Sequence, residues 1–426
     1  MKRITRLARE RVRLRPAQSR ITGSNLLQTA VTILVAVALA VAALIASGAS
    51  DRWQSSVRED VKRSAGIVED VRAVYGDEAP LGLDVALADA RAQQGADDDA
   101  LTDRQVVFAI RKAYRGKDNL IADTRYLRPT GAYDVPRRLA DVRAKDPGLL
   151  RLDPEGTARE GDDKRKLSAL VALATIPLVL LYLLTELVLR ARARRRPAPA
   201  QADEVGLVPR PWSSPVTSRL GVSVALVAWL AVALLPVLQL RFDSQEQRAN
   251  ALSARRAVDT STMLAASGIA FSFRVHSQQR VLALDTHAIG RQIVALNSPD
   301  YEDGARLQNL GRAEAQTAQR ARLVVAGMSR EPTARDGVDP GTLQAVNASP
   351  AASDAVRVEQ NEQADVAERA GKRANRMNLA LLLSALTLSL AALAATGRGA
   401  RLRGIDRVGA ALLVASLAVA ASAVLV

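Results

Sequence analysis

An all-α, multi-pass membrane protein, with about five transmembrane helices and two extracytoplasmic helical regions, is what the sequence predicts, on three observations. Five apolar runs are each long enough to cross a bilayer; basic residues gather in the short stretches beside them; and the long stretches between carry apolar residues at helical spacing. Of 426 residues, 24 % are charged, yet mean hydropathy is near zero, so apolar and charged residues are segregated along the chain.

The runs are Leu26–Ile45, Leu167–Leu189, Leu220–Leu240, Leu379–Ala395 and Val408–Val426. At about 1.5 Å per residue, roughly 20 residues cover a hydrocarbon layer of ~30 Å. The predicted order is a basic cytoplasmic arm (1–23), span one (24–47), extracytoplasmic region one (48–166), span two (167–189), a basic cytoplasmic linker (190–219), span three (220–240), extracytoplasmic region two (241–377), span four (378–396), a short cytoplasmic loop (397–407) and span five (408–426). The fourth is the shortest. The fifth, AALLVASLAVAASAVLV, is the weakest span because Ala drives insertion less than Leu, Ile or Val.

The net charge of +15 invites a nucleic-acid reading, which the location of the charge removes. The arm holds eight Lys/Arg against one acid, the linker seven against two and the short loop four against one, whereas both long regions are nearly neutral. Basic excess beside spans marks the cytoplasmic side, so the amino terminus is predicted inside and the carboxyl terminus outside, at the cell membrane. No aromatic platform or folded reader accompanies these charges, and no nucleic acid is expected as a partner. The first run exceeds a usual signal-peptide h-region and reads as an uncleaved anchor, with Ser47-Gly48-Ala49 the place a peptidase would cut in the alternative. There is no Cys, so disulfides and thiolate metal sites are excluded. Abundant Ala and Arg resemble translation of a GC-rich bacterial genome.

The order of basic segment, span, long region and span occurs twice, which reads as a duplication. Arg52-Trp53-Gln54-Ser55 and Arg241-Phe242-Asp243-Ser244 are its local echo, with each ring predicted at the outer interface. In region one, Gln54–Tyr75 continues the span as an amphipathic helix with Val57, Val61, Ile67, Val68 and Val71 on one side; short helices follow at Gly82–Ala92 and Asp103–Tyr114. Beyond Arg115 the prolines 129, 136, 147 and 154 predict irregular chain. In region two, Leu264, Phe271, Val275, Leu282, Ile289, Ile293 and Leu296 form a helical seam, and Asn297-Ser298-Pro299-Asp300 a turn. Leu307, Leu310, Ala321, Val325 and Met328 lie on the returning helix, 331–353 is loop, and 354–376 is a polar helix. The outline resembles the input domains of bacterial membrane receptors, by architecture and without a shared motif.

Candidate chemistry is sparse. His276 and His287 are about 16 Å apart along one helix and share no metal. Asp97-Asp98-Asp99 with Asp103 fails the calcium-loop order, which puts Gly and Glu where this chain has Thr102 and Phe108. Glu186 reads as an interfacial partner of Arg190. Pro177 and Pro236 are kink positions, and Ala38, Ala42 and Ala46, or Ala411 and Ala415, are close-approach positions. The arm and the Arg190–Arg196 tract suit anionic lipid headgroups. No catalytic, metal or cofactor-binding residue is assigned and no cofactor is expected. The functional expectation is a non-enzymatic protein of the bacterial envelope whose extracytoplasmic helices bind an envelope partner or sense a condition. An accessory subunit of a transport or export complex is the alternative.

Overall fold

The computed structural model describes residues 23–94, 98–181, 184–185, 188, 219–396 and 402–425. Among these the chain is helical without a strand, with one isolated antiparallel bridge between Leu127 and Tyr133. The elements are α1 (Gly23–Val71), a π-helical turn (Arg72–Glu78), α2 (Ala79–Gln94), α3 (Asp98–Tyr114), a 3-10 turn (Thr124–Tyr126), α4 (Val135–Ala144), α5 (Pro147–Leu150), α6 (Pro154–Leu173), α7 (Arg219–Leu296), α8 (Tyr301–Met328), a 3-10 turn (Ala334–Asp336), α9 (Pro340–Val346), α10 (Pro350–Thr396) and α11 (Leu402–Leu425). Three helical stretches are long and apolar enough to cross a bilayer: Ile33–Gln93, Val227–Leu296 and Arg407–Leu425. Only 17, 33 and 28 % of their apolar windows is buried, so most of that surface faces outward, the inverse of a soluble core and the arrangement lipid favours.

The chain divides into two compact units. The apolar unit draws its described parts from Met1–Arg52, Arg159–Arg248 and Val366–Val426. Small residues bring its helices together: Ala231, Ala374, Ala380, Ala420 and Ala423 are buried between α7, α10 and α11 around Met377 and Phe242. Hydroxyls also bridge helices, α10 to α11 and α6 to α1. Ser384 and Ser416 meet at 2.6 Å, Ser416 Oγ donates to the Ala380 carbonyl at 2.8 Å, and Ser168 Oγ donates to the Ala42 carbonyl at 2.7 Å. Ala42 is fully buried with Ala38 and Ala46 partly so, whereas Ala411 and Ala415 are exposed. Of the two alanine patterns, only the first faces packed protein. A turn at Ala174 ends α6 three residues before Pro177, which has no N–H to offer the carbonyl of Leu173. Pro236 lies inside α7 without ending it. Phe242 packs in this unit with the Arg373 guanidinium 5.8 Å from its ring centroid.

The charged unit is formed by Trp53–Ala158 and Ala249–Asp365. The two long regions, distant in sequence, share a single hydrophobic core. Val71, Tyr75, Leu83, Tyr126 and Leu139 from the first pack with Ala270, Phe273, Met328 and Val346 from the second, and Tyr75 meets Phe273 edge to face at 6.0 Å. Trp53 is buried too, so both rings of the sequence echo are packed against protein.

Of the four prolines expected to break region one, Pro129 lies in irregular chain and the other three start helices instead. Asp134, Asp146 and Asp153 each accept a backbone N–H, from Arg137, Leu149 and Gly156, with Pro136, Pro147 and Pro154 in the first turn, where no N–H is needed. Asp339 does the same for α9, accepting from Gly341 N and Thr342 N beside Pro340, so 331–353 is not simply loop. Pro80 has no N–H for the carbonyl of Gly76, and the chain widens there into the π-helical turn.

The turn at 297–300 is present, with Asp300 capping α8 and α8 returning along α7. The seam faces the other way from the expectation. Leu264, Phe271, Leu282, Ile289, Ile293 and Leu296 are exposed, and Met263, Ala266, Ala270, Phe273, Ser277, Val281 and Ala288 are buried in their place. Close helix approach selects small residues: a Cβ on Gly311 would stand 2.9 Å from Gln292 and 3.3 Å from the Ala288 carbonyl, leaving no room for a Leu seam.

Candidate functional site: a charged cleft

The core-facing stripe of α1 in the charged unit runs Trp53, Ser56, Asp60, Ser64, Ile67 and Val71 and continues to Val74 of the π-helical turn, steps of three and four that place polar side chains on the core side. On α7, Asp259 and Thr262 likewise precede Met263, Ala266 and Ala270. Where these polar stretches face each other the core opens into a cleft of about 420 Å³, closed by Pro154 and Glu155 of α6 and by Pro340, Gly341 and Gln344 of α9.

Charge is dense around it. Asp60, 6 % exposed, pairs with Arg255 at 3.3 Å. Asp259 faces Arg256 at 3.6 Å, while Arg256 reaches Glu359 of α10 at 3.0 Å, and Arg63 stands 3.6 Å from Asp339. Burial, with Asp60 adding repulsion, pushes the Asp259 carboxyl from 3.8 up to about 6 against the pull of Arg256 and Arg255. The cleft thus holds a carboxyl that changes charge in mildly acidic solution, opposite a second carboxylate on another helix.

Behind the cleft, Arg143 of α4 is 2 % exposed and clamps Asp70 of α1 at 3.2 Å and Asp339 at 3.3 Å. Burial pulls Asp339 upward, but hydrogen bonds from Thr342 and the charges of Arg143 and Arg63 outweigh it and leave the carboxyl below its ordinary value. Asp70 is shifted upward by burial despite Arg143. Arg138 makes a second buried clamp, with both Glu78 oxygens at 2.7 and 2.8 Å and Asp118 at 2.9 Å. It fastens the π-helical turn to α4.

None of the residues weighed for chemistry from sequence lines the cleft. His276 and His287 are exposed on α7, and His276 Nε2 accepts from Arg280 Nε at 3.4 Å. Asp98 and Asp99 open α3 and Asp103 lies within it, while Asp97, Glu186, the amino-terminal arm and the Arg190–Arg196 tract lie outside the described residues. Among the described residues no cluster of three or more His, Cys, Asp or Glu is arranged to hold a metal. The signal that would have found the cleft was present: Asp60 and Ser64 interrupt an otherwise apolar stripe that resumes at Ile67.

Among the described residues, fold and site together define an all-helical protein with three apolar helices that fit a membrane protein by length and composition, and a charged helical unit enclosing a polar cleft. No protein-family model, curated protein or solved structure matches it.

Proposed function

We propose that this is a non-enzymatic integral membrane protein of a bacterial cell envelope, crossing the bilayer five times, whose charged unit lies outside the cytoplasm. There it senses a condition, or engages an envelope partner, through the charged cleft. The observation that carries the reading is the cleft itself: Asp60 occupies a core position on α1, where an apolar residue would stabilise the unit more, and the half-buried Asp259 faces it from α7. A polar group kept at such a cost on facing helices suits a two-state element biased by protonation or by a bound partner. Arg63, Arg255 and Arg256 surround the two carboxylates, with Glu155 and Glu359 at the margin. Protonation of Asp259 therefore lessens repulsion across α1 and α7 without emptying the cleft of charge.

The five-span topology is supported by the basic excess of the arm, linker and short loop, and by the near neutrality of the two regions that form the charged unit. Buried hydroxyls in the apolar unit, Ser168, Thr175, Thr387 and Ser416, each donate to a helix carbonyl. They act as glue between and along helices, which lends the transport-subunit alternative no ion path.

Hydrogen exchange of the full chain in nanodiscs, followed from pH 5 to pH 8, tests the sensing role. Amides of α1 and α7 around the cleft should change protection through about pH 6 in the wild type and stay constant in Asp259→Asn. Identical profiles for the two proteins would overturn it. Protease added outside intact cells should cut the charged unit and spare the 190–219 linker, and the reverse pattern would invert the topology.

A further inference from the structure

The structure leaves one long surface without a partner. By the 100° step of a helix, Leu264, Phe271, Val275, Leu282, Ile289, Ile293 and Leu296 fall within an arc of roughly 60° along about 48 Å of α7. Six of the seven are more than half exposed, from Ile293 at 54 % to Leu296 at 79 %. The residues between them on this face are Gly268, Gln278, Asp285 and Thr286, and the one charged group among them, Asp285, is taken up by Arg322 of α8. Solvent alone does not maintain such a strip on a unit otherwise dense in ion pairs.

We propose that this strip is the contact surface for a second copy of the same chain, the two α7 helices lying side by side in parallel. Three observations select that occupant. First, the spacing is a heptad: Val275, Leu282, Ile289 and Leu296 follow one another at seven residues, as do Leu264 and Phe271. This repeat lets one helix seat against an identical one along its whole length. Second, Gly268 sits beside the strip inside a helix, where it costs about 1 kcal/mol relative to Ala. A Cβ there would meet nothing within 4 Å, so no contact among the described residues requires it to be small. A neighbour approaching closely from outside does. Third, the area is that of a dimer. At roughly 190 Å² for a large apolar side chain, the open fractions amount to about 700 Å² per copy, against ~800 Å² per partner in stable interfaces. An open apolar groove at Tyr75, Pro80, Ile269 and Phe273 adjoins the strip at Gly268 and widens the surface further.

The parallel orientation rests on both copies being anchored in one bilayer, as proposed above; the pairing itself does not. Because the chain has no Cys, single cysteines report on it without background. In membranes containing the full chain, Val275→Cys, Leu282→Cys and Ile289→Cys should each give a disulfide-linked homodimer on mild oxidation. Ala283→Cys and His287→Cys, exposed on the same helix but turned about 100° and 140° away, should give at least tenfold less. Equal yields at strip and control positions, or a strip cysteine captured by a different protein, would overturn the proposal. Linkage only between a Val275→Cys copy and an Ile289→Cys copy would mean an antiparallel pair and overturn the orientation. As a second measurement, light scattering of the detergent-solubilised wild type should give a dimer, and Leu282→Glu with Ile289→Glu a monomer of unchanged helicity. A monomeric wild type sinks the inference. Release of the chain from membranes without detergent would instead sink the membrane reading and leave the cysteine pattern standing.

Discussion

Replacing Arg143 by Met should be among the most damaging single changes in the charged unit. The guanidinium is 2 % exposed and donates to Asp70 Oδ2 at 3.2 Å and to Asp339 Oδ2 at 3.3 Å, carboxylates whose own side chains are 19 % and 16 % exposed. Gly66 makes room for it, since a Cβ there would stand 3.0 Å from Nη1. Met fills part of the volume but strips the half-buried Asp70 of its clamp and leaves Asp339 to Arg63, Gly341 and Thr342 alone. Breaking a buried pair from one side costs about 3–5 kcal/mol, a third or more of the 5–15 kcal/mol that holds a typical domain. An exposed pair such as Arg322–Asp285, with Arg322 62 % exposed, is worth less than about 1 kcal/mol. Thermal unfolding of the full chain in detergent, followed by circular dichroism, should place Arg143→Met on the order of 10 °C below wild type and Arg322→Met within a few degrees of it. The defect should narrow below pH 4, where protonation relieves the carboxylates left without the clamp, and the added change Asp70→Leu should recover part of it. Equal melting of Arg143→Met and Arg322→Met would refute the argument that this clamp holds the unit together.

Three further outcomes follow from single sites. The Asp259 carboxyl has a folded pKa of about 6 against an ordinary 3.8, so the folded chain binds that proton more tightly. Its ionisation penalty is fully present above pH 6 and disappears as pH falls toward 3.8. Asp259→Asn should therefore melt higher than wild type at pH 8, by about 1–2 kcal/mol after allowing for partial exposure, and the gain should vanish near pH 4. Asp146→Ala removes the cap of α5 and its bond to Leu149 N and should cost about 1 kcal/mol in urea unfolding. Gly337 holds φ at 82°, and a Cβ there would meet only Ala140 at 3.8 Å. Gly337→Ala should thus cost about 1–2 kcal/mol from backbone strain alone, with no loss of packing detectable by near-UV dichroism.

The helical class was legible because apolar periodicity reports which residues share a side of a helix. It does not report what that side touches. Leu264, Phe271 and Leu282 have the spacing of a buried seam, yet Ala270, Ser277 and Ala288 take the packed side because α8 lies too near for large side chains. Three of the four prolines of region one follow an Asp directly or at two residues, a pairing that starts helices at Asp134, Asp146 and Asp153, whereas Pro129, behind Arg128, lies in irregular chain as its spacing predicts. Asp60 and Asp259 escaped notice for a related reason: a search for motifs passes over single carboxylates, and only their placement on core-facing stripes 199 positions apart makes a site. The echo at Trp53 and Phe242 pointed toward lipid, but both rings are satisfied by protein.

The shared core of the two regions sets a timetable for synthesis. Arg143 awaits Asp339, 196 residues later, and Tyr75 awaits Phe273. At about 5–20 residues per second on a ribosome, that interval is roughly 10–40 s, during which Tyr75, Leu83 and Leu139 have emerged without their later neighbours. A chain arrested between the two regions should be a ready substrate for holdase chaperones and proteases, and the finished one a poor substrate.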